Sequence, residues 1–248
     1  PWIIEKIASV PSNTLRFYNA PVASPLPTLG DIALTIGTGD RARPRVSNYP
    51  FARNVQNRFY ALLEQPYEDY AAEFGPGGDP TWTRTALNLE DPNEIYEVGS
   101  NDGQQLQNYR GWYFDLPDTG EQVANPAVVG GGKVFFNTFQ PGGAPGDICS
   151  SPIGLGKAYA IDLFRPLAVP GNEIAGGGIP IPPIIATVKI PEGCTAADCS
   201  NFEPDPTKSE VRTGVIGWDG FEFEQLDPVI DPQIQRVFFT EDIERERN

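Results

Sequence analysis

Short runs rich in β-branched and aromatic residues recur along the chain, each bounded by Gly, Asp or Pro. The clearest are GDIALTIGTGD (30–40), GKVFFNTFQP (132–141) and SEVRTGVIGWDG (209–220). Two more, NRFYALLE (57–64) and GKAYAIDLF (156–164), follow the first two after loops of different length. Runs of this length and composition between turn-forming residues are typical of β-strands. The pattern therefore predicts an all-β fold.

A proline stands ahead of each of the three main runs, within segments 19–25, 124–130 and 181–187. The repeating unit is a proline, a short apolar strand, a glycine turn, a second strand, a loop and an aromatic strand. Proline at a strand start removes no ladder donor, and glycine supplies the positive φ of a tight reversal. The unit occurs clearly twice and a third time in degraded form. Such repeats predict a β-propeller or, failing that, a sandwich.

Helical signals are few. Residues 54–74 carry apolar residues at mixed spacings, but Pro66 interrupts them, so at most a short helix is expected there. The tail could end in a frayed helix after Thr240. The stretch 65–110 lies between the first two units and is either another blade or an insertion.

The glycines of VVGGGKVFF (128–136) raise two alternatives, a phosphate cradle or a hairpin turn. A phosphate loop needs a following helix and the order Gly-Lys-Ser/Thr, whereas Val134 follows Lys133. IGTGDR (36–41) also lacks a following helix. The hairpin is the favoured interpretation.

Composition excludes several functions. The 26 Pro and 26 Gly disfavour long helices, and a formal net charge of −15 disfavours nucleic-acid binding. The chain has no His, so Ser-His triads and the commonest zinc ligand are excluded. No run of 18 apolar residues exists, so no membrane-spanning segment is expected.

Three cysteines are present. Cys194 and Cys199 lie five positions apart in GCTAADCS, and a zinc site needs four ligands, whereas the chain has no His and only one other thiol. A local disulfide between them, and hence an oxidising compartment, is favoured. Cys149 is either buried or paired outside this chain.

Carboxylates supply the remaining candidates for chemistry. Asp40 with Arg41, and Asp115 with Asp118, are the most suggestive placements, but aspartates commonly cap turns and no nucleophile motif accompanies them. Calcium is the one metal that suits the composition. Its candidate loop offers Asn101 and Asp102 before Gly103, but Val98 breaks the ligand pattern, so a polar turn is favoured. No catalytic residue, cofactor or metal ligand is therefore assigned.

Aromatic side chains lie within the strand-like runs, where packing in the core is the expected role and a sugar-binding platform is the alternative. They are Trp112, Tyr113, Phe114, Phe135, Phe136, Phe139, Trp218, Phe221 and Phe223.

Residues 111–164 resemble the signature blade of the PilC/PilY type IV pilus tip adhesins. Segment 35–64 is similar to the preceding Gly-Thr-Gly blade of that family, through Gly37 and Gly39, and 176–186 resembles the segment after it. The resemblance covers most of 20–190. The matching signature residues are Gly111, Trp112, Tyr113, Leu116, Pro117, Gly120, Glu121, Pro126, Thr138, Pro141, Cys149, Tyr159 and Asp162.

The resemblance implies a quinoprotein-like β-propeller with an incomplete set of blades in this chain. Residues 1–240 would be the C-terminal part of the propeller domain and 241–248 a charged tail. It implies export through the periplasm or outer membrane to the pilus tip or cell surface, and binding to minor pilins and to host or abiotic surfaces. The family's calcium loop has no good match here.

The function expected from this resemblance is non-enzymatic support of pilus assembly, extension and adhesion. Two alternatives are a propeller dehydrogenase with a quinone cofactor and a glycan-binding surface protein.

Overall fold

The computed structural model describes residues 6–11, 14–26, 31–42, 55–64, 86–99, 109–142, 154–168, 170–174, 177–191, 209–217 and 223–225. All regular secondary structure in these residues is β-strand. The strands are β1 (Ala8–Ser9), β2 (Val22–Leu26), β3 (Asp31–Gly37), β4 (Arg58–Glu64), β5 (Leu87–Asn88), β6 (Tyr96–Glu97), β7 (Gly111–Asp115), β8 (Gln122–Val123), β9 (Val128–Gly130), β10 (Lys133–Gln140), β11 (Leu155–Asp162), β12 (Asn172–Ile174), β13 (Ile184–Pro191), β14 (Ser209–Ile216) and β15 (Phe223–Gln225). The predicted all-β class is confirmed for this part of the chain.

Three antiparallel sheets follow one another along the sequence. The first sheet has the strand order β2-β3-β4-β7, and β6 adds to β7 in parallel. The second sheet runs β10-β11-β12, with β8 and β9 pairing to opposite ends of the other edge of β10. The third sheet is β13-β14-β15, and a separate parallel pair joins β1 to β5. Within the described residues each sheet is open.

The triple glycine forms the predicted hairpin turn. Strands β9 and β10 pair antiparallel from Gly130 opposite Lys133, with Gly131 and Gly132 between them. Their φ angles of 57° and 75° lie in the left-handed region that glycine adopts without strain. The hairpin prediction is confirmed.

The strand-like runs also have their predicted state. Runs 30–40, 57–64, 132–141 and 156–164 correspond to β3, β4, β10 and β11, and the described part of run 209–220 contains β14. The helix expected within 54–74 would follow Pro66, and the one after Thr240 would end the chain, so both lie outside the described residues. The stretch 65–110 contains β5 and β6, and it remains a predicted insertion or blade.

Side chains of β10 alternate between two apolar interfaces, because successive residues of a strand point to opposite faces. On one face Phe136 stacks on Phe59 of the first sheet, with ring centroids 3.9 Å apart. On the other face Phe135 clusters with Val215 of the third sheet. The second sheet is therefore packed between its two neighbours.

The predicted aromatic core is confirmed where side chains are described. Trp112, Tyr113, Phe114, Phe135, Phe136 and Phe139 are buried. Trp218 and Phe221, together with the side chain of Phe223, lie outside the described part. No helix in the described residues could cross a membrane.

The close approach of the first and second sheets requires glycine at position 37. A Cβ atom built on Gly37 would overlap the side chain of Val123 in β8. Gly37→Val should therefore lower the free energy of unfolding by about 2–3 kcal/mol, as overpacking of a filled interface does. Urea denaturation measures this.

Gly132→Asn is the matched control, since nothing lies within 4 Å of its Cβ position and asparagine tolerates its φ of 75°. The control should change the free energy of unfolding by less than about 0.5 kcal/mol. Equal stability of the two variants would contradict the proposed close contact.

Candidate functional site: a buried carboxylate between two sheets

Glu121 follows the turn that leads from β7 to β8, and its side chain is fully buried. Two hydrogen bonds between Asp118 and Glu121 close this turn. The Glu121 amide donates to the Asp118 carbonyl at 3.1 Å, and the Asp118 amide donates to Glu121 Oε2 at 3.2 Å. A carboxylate removed from water is stable only when donors surround it.

The second sheet supplies two hydroxyl donors to this carboxylate. Tyr159 Oη donates to Glu121 Oε1 at 2.8 Å, and Thr138 Oγ1 donates to the same oxygen. Both residues belong to the resemblance described above, and they stand on the paired strands β11 and β10.

The first sheet contacts the same residue through its backbone. Asn57 Nδ2 donates to the Glu121 carbonyl at 2.8 Å. Asn57 Oδ1 in turn accepts from Thr38 Oγ1 at 2.9 Å, and the Val123 amide donates to the Thr38 carbonyl at 3.0 Å. Polar contacts to Glu121 and its neighbours therefore join the two sheets above their aromatic interface.

Lys157 of β11 completes the group. Its Nζ forms an ion pair with Asp118 and lies 4.0 Å from Glu121 Oε2. Burial lowers the pKa of Lys157, but the hydrogen bond to Asp118 and the negative charge of Glu121 outweigh this and raise it. Burial, followed by the charge and hydrogen bonding of Glu121, raises the pKa of Tyr159 well above its ordinary value of 10.0.

A second set of polar contacts joins the second sheet to the segments around the third. Asn125 Nδ2 donates to the Pro180 carbonyl at 2.7 Å. Asn137 Nδ2 donates to the carbonyls of Ile181 and Gly217, each at 2.8 Å. Buried asparagine side chains thus satisfy backbone carbonyls that no ladder reaches.

The aspartates singled out from the sequence are held by cations. Asp40 pairs with Arg16 at 2.8 Å rather than with the adjacent Arg41, which donates to Asn125 Oδ1 at 2.7 Å. Asp115 pairs with Arg58 at 2.6 Å. Asp118 pairs with Lys157 instead, so the carboxylates of Asp115 and Asp118 contact different cations.

The signature residues divide into buried and exposed groups. Gly37, Gly39, Gly111, Trp112, Tyr113, Gly120 and Tyr159 are buried. Pro117, Pro126 and Asp162 are exposed, and Asp162 Oδ1 accepts from the amides of Phe164 and Arg165 in a turn. The Trp112 indole donates to the Leu163 carbonyl at 3.0 Å, which ties β7 to the end of β11.

Several sequence predictions fall outside the described residues. These are the Cys194–Cys199 disulfide, the state of Cys149, and the candidate calcium loop at Asn101, Asp102 and Gly103. Among the residues that are described, no group of three or more Cys, Asp or Glu is placed to hold a metal ion.

The sequence interpretation missed the central role of Glu121 and the part played by Thr38 and Asn57. Glu121 was one of many acidic residues in a turn, and nothing local distinguishes a carboxylate that is buried. Its one signal was its place in the resemblance, next to Gly120.

No protein-family model matches the chain, and no curated protein does. Among solved structures the chain is similar to the C-terminal domain of PilY1 from Pseudomonas aeruginosa, with 15% identity and a TM-score of 0.46. The likeness covers 86% of this chain and 45% of that one. This chain thus spans less than half the length of that domain.

Stability at alkaline pH should depend on Tyr159. Unfolded tyrosine ionises near pH 10.0, whereas the folded group keeps its proton because its pKa is raised. The folded state then binds more protons, so stability is full below pH 10.0 and falls above it, by about 1.4 kcal/mol per pH unit. Tyr159→Phe should flatten this fall while costing about 1 kcal/mol at neutral pH.

Tyr60 provides the comparison. Burial raises its pKa to about 12 despite the lowering effect of Arg58. Tyr60→Phe should therefore flatten the fall only up to about pH 12. Urea unfolding across pH 8.5–12.5 measures both variants over roughly the range in which tyrosines titrate. An unchanged slope in Tyr159→Phe would contradict the assigned environment.

Proposed function

We propose that the chain is a non-enzymatic part of a type IV pilus tip protein, supporting pilus assembly, extension and adhesion to surfaces. The observation that carries the proposal is the position of three signature residues at the contact between two sheets. Trp112, Glu121 and Tyr159 form the joint between two sheets, so this stretch of the resemblance corresponds to a packed structural unit.

The proposed scaffold is a quinoprotein-like β-propeller of which this chain supplies some blades. Three features support it: the sheets are antiparallel, they occur in chain order, and the second packs against both others through its two faces. A propeller stacks its blades in this manner. The remaining blades would come from other parts of a longer exported protein.

The ion pairs of the described aspartates support a structural role. Asp40 and Asp115 each form an ion pair with an arginine at hydrogen-bond distance, so both carboxylates are engaged in contacts within the fold. Trp112 is fully buried, so it does not offer the exposed ring that a sugar-binding platform needs. Minor pilins of the tip and a host or abiotic surface are the partners proposed.

Deleting the gene in the producing organism should abolish surface pili and twitching motility. Electron microscopy counts the pili, and motility assays and adherence to plastic measure their function. The intact gene should restore all three. Restoration should be poor with Gly37→Val, because a destabilised joint would be degraded.

Lys133→Ala is the matched control in the same complementation experiment. Lys133 is exposed at the start of β10, so this variant should restore pili fully. Normal piliation, motility and adherence in the deletion strain would contradict the proposal. A coloured protein with dye-linked alcohol oxidation would favour the quinone alternative, and specific glycan-array binding would favour the lectin alternative.

A further inference from the structure

An amine and two carboxyl groups meet where the turn after β7 crosses β11. Lys157 Nζ is in direct contact with Asp118 Oδ2 and lies 4.0 Å from Glu121 Oε2. The Glu121 side chain is 0% exposed and that of Lys157 is 12% exposed, whereas Asp118 is 39% exposed. The amine is therefore held between one accessible carboxyl and one that is shielded from water.

We propose that Lys157 and Asp118 form an intramolecular isopeptide bond, with Glu121 as the proton carrier. Three observations together carry this: the direct contact of amine and carboxyl, the buried third carboxyl beside the amine, and the fixed backbone positions from which the amine and the first carboxyl extend. The proposal is independent of the pilus function, because it concerns the covalent state of the folded chain.

The reaction is a condensation that needs no oxidant or cofactor. Lys157 Nζ gives a proton to Glu121 and attacks Asp118 Cγ, forming an N–C bond. Glu121 returns that proton to a departing oxygen of Asp118 as the C–O bond breaks. The ammonium loses two protons in all, which leave with this oxygen as one water molecule, and the amide nitrogen keeps the third.

The fold restrains the reacting groups before the reaction. The Asp118 backbone is fixed by the two turn hydrogen bonds with Glu121, and the Lys157 backbone by the pairing of β11 with β10 opposite Thr138, so the two side chains start from fixed positions. Well-oriented groups within one molecule react as though at concentrations of about 10⁵ M or more, which lowers the barrier to condensation. Tyr159 packs against Phe136 at 5.1 Å and donates to Glu121, so the Glu121 end of the group is joined to the aromatic core.

The resting pair is ionic, so the bond forms from the minor state in which the proton has left Lys157. Burial of the amine favours that state, but Asp118, Glu121 and Glu173 outweigh burial and raise the pKa of Lys157, which keeps the state minor. Glu121 Oε2 lies 4.0 Å from the amine and is the buried oxygen to which we assign the transferred proton. The bond is therefore expected to form after folding rather than during it.

The bond would link the β7–β8 turn to β11 across 39 positions of sequence. It would enclose β8, β9 and β10 in a covalent loop. A cross-link of this kind prevents β11 from separating from the turn when the chain is pulled or unfolded.

Mass spectrometry of the reduced full-length protein tests the proposal. The folded wild type should be lighter than its sequence mass by one water molecule. Trypsin should also fail to cleave after Lys157, leaving residues 134–189 as one peptide attached to residues 111–133, because Arg165 precedes Pro166. Lys157→Arg should have the full sequence mass.

Two variants separate the reaction from other dehydrations. Asp118→Asn should lose one ammonia instead of one water, since its leaving group is an amide nitrogen. Glu121→Gln should keep its full mass if folded, which circular dichroism checks. A full-mass wild type after prolonged incubation would overturn the proposal, and so would loss of water without the cross-linked peptide.

Discussion

A buried carboxylate cannot be left without donors, and this requirement organises the described part of the chain. The Glu121 carboxylate accepts hydrogen bonds from hydroxyl groups on two strands of the second sheet. Its backbone carbonyl accepts a hydrogen bond from Asn57, which precedes β4 of the first sheet. Removing either sheet would leave polar groups of this joint unpaired. The stacking of Phe59 on Phe136 excludes water from the interface, and hydrogen bonds are stronger in such a low-dielectric environment.

Local pattern was sufficient to predict the longer strands. Runs such as 57–64 and 132–141 contain β-branched and aromatic residues between turn formers, and tertiary packing agrees with that preference. The Gly131–Gly132 turn was equally predictable, because a hairpin leaves a distinct residue pattern. Aromatic burial followed from the same runs, since strands of a packed sheet bury their large side chains.

Contacts between distant segments could not be predicted in the same way. Nothing near Asp40 indicates that Arg16, rather than the adjacent Arg41, is its partner. The parallel pairing of β1 with β5 joins segments almost eighty positions apart and has no local signal. The burial of Glu121 depends on where β10 and β11 place their hydroxyl groups, which is a property of the assembled sheets.

A double-mutant cycle between Asn57→Ala and Thr138→Val tests the central claim most directly. Asn57 directly precedes β4 of the first sheet, Thr138 lies in β10 of the second, and each contacts Glu121. If Glu121 joins the sheets, the two losses in unfolding free energy should be coupled by about 1 kcal/mol or more. Losses that add within about 0.3 kcal/mol would show that the two sheets are stabilised independently and would contradict the account.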